Sequence, residues 1–83
     1  MSDLQGPLNF ASAGSWFARV EEFSRAGQLS LAQISHCDSA GLAFLLELRR
    51  RAHQAQQPLE FTEVPAQLRE LSGFFGLDRV LGF

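Results

Sequence analysis

The sequence predicts a small α/β domain in which helices pack on a sheet that contains parallel strand pairs. Strand-like and helical segments alternate along the chain in the order strand, helix, strand, helix, strand, helix. This alternation is typical of folds with right-handed crossovers. The length of 83 residues leaves room for one modest core. We therefore expect a single domain over residues 1–83.

The first two predicted elements are a strand and a helix. Residues 2–5 and 8–10 are typical of one broken or edge strand, because Pro7 between them has no backbone N–H to donate to a sheet. Ser12 is a suitable N-cap for a helix over residues 13–26. This helix carries an apolar stripe with helical spacing, formed by Trp16, Phe17, Val20 and Phe23.

The remaining elements are bounded by loops and prolines. Residues 28–35 carry apolar side chains on both faces, which is typical of a central strand. A second helix over residues 39–56 is stopped by Pro58, because the residue before a proline disfavours helical angles. The chain continues with a strand over residues 59–64, a third helix that begins at Pro65 and carries Leu68, Leu71, Phe74 and Phe75, a turn over residues 76–78, and a closing segment over residues 79–83.

The composition argues against several classes of partner. Hydrophobic residues make up 46% of the chain, the formal net charge is −2, and no Lys is present. A surface for nucleic acids or anionic membranes needs a positive excess, which is missing. No apolar run reaches the roughly 18 residues that cross a bilayer, and the N-terminus lacks the regions of a signal peptide. With the single Cys37, these features favour a cytoplasmic protein without direct membrane insertion.

The second helix has more apolar surface than docking on a sheet requires. One arc of about 100° can face the sheet, and its members are Gly41, Phe44, Leu45, Leu48, Ala52 and Ala55. A second stripe lies outside this arc and consists of Leu42, Leu46, Arg49, Arg50 and His53. Two interpretations stay open. The two leucines pack under a neighbouring helix or loop, or they form an exposed apolar pair with a basic rim, as in a partner-binding patch.

The start of this helix is a second candidate functional region. Asp38 or Ser39 is expected to cap the helix by accepting bonds from its first free N–H groups. Gly41 costs roughly 1 kcal/mol relative to Ala, which indicates a close approach of another backbone or side chain. Ser39 is either a cap and nothing more, or a phosphorylation switch. Phosphate is favoured at a helix N-terminus but is opposed by the charge of Asp38.

Catalytic and metal-binding roles are poorly supported. The consecutive residues His36, Cys37, Asp38 and Ser39 do not turn their side chains toward one point, and no further group is placed to orient a base. His36 and Cys37 do not form a recognised ligand spacing with His53. A phosphate-binding loop that ends in Lys is absent because there is no Lys. We therefore expect no enzymatic activity, no metal and no cofactor.

The sequence resembles the STAS domain family over nearly its whole length. In that family a hydrophobic strand leads to Asp-Ser/Thr-x-Gly-Leu and an apolar helix. Residues 31–46 follow this order as Leu-Ala-Gln-Ile-Ser-His-Cys-Asp-Ser-Ala-Gly-Leu-Ala-Phe-Leu-Leu. Residues 4–8 resemble the early strand and turn of the family, and residues 68–71 and 76–81 resemble its closing helix and tail. The resemblance implies a small mixed sheet of about four strands with helices packed on it.

Within the family, the Asp-Ser-Ala-Gly-Leu-Ala run is most similar to MlaB, the STAS subunit of the Mla-type phospholipid ABC transporters. This similarity implies a cytoplasmic subunit that binds an MlaF-like ATPase, in an inner-membrane complex with an MlaE-like permease and MlaD-like subunits. Such a complex serves the lipid asymmetry of the outer membrane. The residues expected to bind the partner are Asp38, Ser39, Ala40, Gly41, Leu42, Leu46, Arg49, Arg50 and His53.

The family also includes anti-sigma factor antagonists, which give an alternative function. Ser39 falls where these antagonists carry their phosphorylated Ser or Thr, so the resemblance implies a possible phosphoacceptor. Asn9 departs from the family pattern, which usually has Asp there in Gly-x-Leu-Asp. This departure makes regulation by an anti-sigma kinase the weaker of the two expectations.

Overall fold

The structure of the chain is a computed structural model that describes residues 4–83. It confirms the α/β class, with short strands and helices in alternation. The elements are β1 (Gly6–Leu8), α1 (Ala13–Phe17), α2 (Val20–Ser24), β2 (Gln28–Ser30), β3 (Ile34–Cys37), α3 (Ser39–Gln54), β4 (Glu60–Thr62), α4 (Ala66–Phe74) and α5 (Asp78–Leu81).

The strands form two parallel pairs rather than one four-stranded sheet. β1 pairs with β3, and β2 pairs with β4. The strand predicted over residues 28–35 is divided because a turn, closed by the hydrogen bond from Ile34 N to Leu31 O, separates β2 from β3. The parallel pairing agrees with the prediction. The predicted single sheet of about four strands is replaced, among residues 4–83, by two separate pairs.

β1 covers the gap between the two segments that were predicted to form the first strand, together with Leu8 of the second segment. It contains Pro7, and the register shifts between Gly6 and Pro7, so the missing N–H falls at an irregularity. Of the predicted segments, residues 2 and 3 lie outside the described residues, and residues 9 and 10 form a turn. The prediction was therefore right about an irregular strand and wrong about its bounds.

The first predicted helix is two short helices. α1 ends at Phe17 because Arg19 N bonds to Trp16 O in a tighter turn, and α2 begins at Val20. Ser12 occupies the N-cap position but does not cap through its side chain, since its hydroxyl donates to Pro7 O at 2.8 Å. Val20 and Phe23 of the apolar stripe are buried, whereas Phe17 stays 39% exposed.

α3 crosses the core and ends two residues earlier than predicted. Its buried residues are Gly41, Leu42, Phe44, Leu45, Leu48 and Ala52. Five of these belong to the predicted arc, and Leu42 is an addition to it. Ala55 was predicted to belong to the arc but is exposed just beyond the helix. Gln56 has a positive φ of 55° there, which is incompatible with a continued helix.

The last elements close the domain over α3. β4 is shorter than the predicted strand because Glu63 has a φ of 52°. Pro65 is the N-cap of α4 rather than its first residue. α5 forms in the predicted closing segment and buries Leu81. Between residues 4 and 83, no helix has both the length and the apolar character that spanning a membrane requires.

Candidate partner-binding site

Asp38 joins the start of α3 to the loop after β1. One carboxylate oxygen accepts hydrogen bonds from Ala40 N and Gly41 N at 2.9 and 3.1 Å, and the other accepts from Phe10 N at 3.0 Å. These bonds, that from Phe10 above all, lower the pKa of Asp38. Of the two caps that the sequence allowed, Asp38 is the one formed. The neighbouring Ser39 is exposed at the first position of the helix.

Gly41 lies close to the backbone of β1, as its position in the first turn of the helix predicted. A Cβ at this residue would lie 2.0 Å from Leu8 O and 2.9 Å from Cys37 Sγ. No side chain fits there without displacing backbone. Gly41 is therefore buried against β1.

The two leucines of the second stripe have different environments. Leu42 is 2% exposed and belongs to the core, so the expectation of an exposed pair was wrong for this residue. Leu46 is half-buried and packs at the edge of the core. Leu77, from the closing part of the chain, lies beside both leucines on this face of α3.

A small apolar depression lies on this face, between α3 and the end of α4. Its volume is about 130 Å³, and its walls are formed by Ser39, Leu42, Ala43, Leu46, Phe75 and Leu77. Ser39 and Ala43 are exposed at its rim. The depression brings together the predicted Ser39, Leu42 and Leu46, and we call it the Leu46 depression.

Arg49 was expected to face a partner, and in the structure its guanidinium group makes contacts within the domain. Its guanidinium group donates to Leu59 O at 2.6 Å and to Leu81 O at 2.7 Å. It also lies 5.1 Å from the ring centre of Phe61. The residue is half-buried and serves contacts within the domain.

Arg50 and His53 are exposed, but they do not line the Leu46 depression. Arg50 lines a polar groove of about 470 Å³ with Glu21 of α2, and it forms an ion pair with Glu47. Hydrogen bonds from Arg50 and Arg51 lower the pKa of Glu47 to about 2. His53 lines another groove, beside Pro58. The predicted basic rim is thus distributed over other faces of α3.

Sequence reasoning missed an aromatic patch at the end of α4. Phe74 and Phe75 are 83% and 50% exposed, and their rings meet edge to face at 5.3 Å. Phe75 also forms one wall of the Leu46 depression. Phe74 lies about 120° around the helix axis from the buried Leu68, and this angle was the signal that could have placed Phe74 outside the core.

Cys37 has the properties of a structural residue. It is buried, and burial raises the pKa of its thiol to about 12, so the thiolate is scarce at neutral pH. Its backbone N–H donates to Oε1 of Gln67, and its carbonyl accepts from Nε2 of the same side chain. Within residues 4–83, no cluster of three His, Cys, Asp or Glu side chains is arranged to hold a metal ion.

Comparison with known protein families agrees with this architecture. A family model described as the MlaB STAS domain matches residues 3–82, which is almost the whole chain. No curated protein matches the chain at a significant level. The matched range includes the capped start of α3, the Leu46 depression and α5. The chain therefore belongs to the STAS domain family, and the family model that it matches is that of MlaB.

Proposed function

We propose that the chain is a cytoplasmic STAS subunit that binds the ATPase of an Mla-type phospholipid ABC transporter. In this function it has no catalytic role and supports the assembly and activity of the ATPase. It is held at the inner membrane only through the complex with the permease and the MlaD-like subunits, which maintains outer-membrane lipid asymmetry. The observation that carries the proposal is the exposed apolar surface around Leu46 in a chain of the MlaB type.

The surface around Leu46 has the composition of a protein-binding site. An apolar depression beside two exposed aromatic rings offers contact area that water solvates poorly. Aromatic side chains are enriched among the residues that contribute most to binding. The exposed hydroxyl of Ser39 at the rim adds a polar group that can orient the partner.

The proposed contact set therefore differs from the one that the sequence suggested. Ser39, Ala43, Leu46 and Phe75 contact the ATPase, with Phe74 beside them. Asp38, Ala40 and Gly41 form the start of α3 that presents this surface, and Leu42 and Leu77 form its floor and wall. Arg49, Arg50 and His53 lie outside the contact set.

Co-purification with the transporter ATPase tests this proposal. Leu46→Asp places a charge in the depression and is expected to abolish co-purification, because the carboxylate would be buried without a partner. Gln54→Asp is the matched control, since it adds the same charge to an exposed position of α3 about 12 Å further along the helix. The proposal is wrong if folded Leu46→Asp is retained as well as Gln54→Asp.

The alternative function is that of an anti-sigma factor antagonist switched by phosphorylation of Ser39. The exposure of Ser39 at the start of α3 supports access by a kinase. The position is less favourable for a phosphate, because the carboxylate of Asp38 already occupies the first free amides. A kinase-dependent mass increase that disappears in Ser39→Ala would favour this alternative over the transporter function.

A further inference from the structure

Arg49 connects three parts of the fold that are distant in sequence. From the middle of α3, its guanidinium group bonds to the carbonyl before β4 and to the last carbonyl of α5. Its Nε is buried and has no hydrogen-bond partner, which carries a desolvation cost. Two short charge-assisted bonds and the contact with Phe61 offset that cost.

α5 depends on such contacts for its position. It has four residues, and a helix of this length is not stable in isolation. Three contacts hold its end: Leu81 is fully buried, Phe83 meets Phe61 edge to face at 6.0 Å, and Leu81 O accepts the bond from Arg49. Leu77, the N-cap of α5, lines the Leu46 depression.

We propose that Arg49 is a positioning residue for the Leu46 depression, which it keeps formed by holding α5, and with it Leu77, against α3. The consequence of this inference rests on the proposed function. A wall of the depression that is ordered before binding lowers the free-energy cost of ordering it when the ATPase binds. Arg49 thus contributes to binding without contacting the ATPase.

Hydrogen exchange of the isolated chain tests the positioning role. The amides of Leu81, Gly82 and Phe83 donate to Leu77 O, Arg79 O and Asp78 O, so their exchange reports the opening of α5. Arg49→Met keeps the stem but removes the donors, and we expect these three amides to exchange about tenfold faster or more. Arg49→Lys keeps the charge but not the planar fork, and we expect an intermediate increase.

Two matched variants separate positioning from general destabilisation. Arg50→Met removes the neighbouring exposed arginine and is expected to leave exchange at Leu81 to Phe83 unchanged. Val20→Ala weakens the core from α2 and is expected to lower overall stability without this local acceleration. The proposal fails if exchange in α5 does not change in Arg49→Met, or if Val20→Ala accelerates the same amides as much.

Binding to the ATPase tests the consequence. Arg49→Met is expected to bind about tenfold more weakly or worse, whereas Arg50→Met and Val20→Ala keep the affinity of the unmodified chain. Faster exchange with unchanged affinity would overturn the positioning role while leaving the proposed function intact. If the unmodified chain itself binds no ATPase, the proposed function fails, and the exchange measurement still decides whether Arg49 holds α5.

Discussion

The carbonyl oxygen of Leu8 occupies the space that a side chain at position 41 would need. A Cβ on Gly41 would lie 2.0 Å from this oxygen, which is closer than any tolerated contact. β1 and the first turn of α3 are therefore in backbone contact, and the hydrogen bond from Asp38 N to Leu8 O lies at the same junction. The surface proposed to bind the ATPase begins directly at this junction.

Gly41→Ala is expected to destabilise the domain although Ala is the better helix former. The methyl group must displace backbone, and such overpacking lowers the free energy of unfolding by about 2 kcal/mol or more. Gly73→Ala is the control, because a Cβ at Gly73 in α4 meets nothing within 4 Å. That variant is expected to gain up to about 1 kcal/mol. Urea unfolding of both variants measures the difference, and equal stability of the two would contradict the close contact.

Asp38 is expected to make the domain sensitive to acid. Its pKa is lowered in the folded chain, so the unfolded chain binds a proton more readily. The stabilisation is present above its ordinary pKa of about 3.9 and is lost as the pH falls toward the lowered value. Asp38→Asn keeps an oxygen that can cap α3 but cannot titrate, so its stability should fall less steeply with acid.

Urea unfolding, followed through Trp16 fluorescence at several pH values, measures this slope for the unmodified chain and for Asp38→Asn. Glu22 and Glu47 also have lowered pKa values and contribute the same slope to both proteins. Identical pH profiles would show that the three hydrogen bonds to Asp38 do not stabilise its charged form.

The fold class and the geometry at the start of α3 could be predicted because their signals are local. Alternating segments indicated the α/β class, and the spacing from Asp38 to Gly41 indicated a capped helix with a close backbone contact. The structure contains the alternating elements, the cap at Asp38 and the close contact at Gly41. The capping residue itself, Asp38 rather than Ser39, depended on side-chain geometry that spacing does not determine.

The sequence did not decide between the buried and the exposed position of Leu42, or show which groups Arg49 contacts, because both depend on segments that are distant in the chain. A helical wheel assigns a residue to a face but does not show which distant segment covers that face. Here Leu77, which lies beside Leu42, and the acceptor Leu81 O, which bonds to Arg49, come more than 30 positions later in the chain. The turn before Ile34 was missed for a different reason, because residues 31–33 contain none of the residue types that are typical of turns.

Phe74→Ser is expected to weaken binding of the ATPase without lowering the stability of the domain. The ring is 83% exposed, so its removal costs little burial in the isolated chain. In the complex, the substitution would remove a buried aromatic contact with the ATPase. Phe10→Ser is the control, since Phe10 is equally exposed but belongs to the loop after β1, whereas the ring of Phe74 contacts Phe75, which lines the Leu46 depression. Loss of binding in both variants, or in neither, would contradict the assigned patch.

Cys37 is expected to resist alkylation while the domain is folded. Burial raises the pKa of its thiol to about 12, so mildly alkaline buffer produces little thiolate. Iodoacetamide should modify the folded chain at least about a hundredfold more slowly than the chain unfolded in urea. Mass spectrometry over time measures both rates, and similar rates would mean that β3 opens readily.

Photo-crosslinking from α3 tests the proposed interface most directly. A photoreactive residue at Ala43, on the exposed rim of the Leu46 depression, is compared with one at Gln54, which is exposed near the other end of the helix. Both variants are co-expressed with the transporter ATPase. We expect a covalent adduct with the ATPase from position 43 and none from position 54. An adduct from position 54 alone, or from neither position in a complex that still co-purifies, would contradict the account.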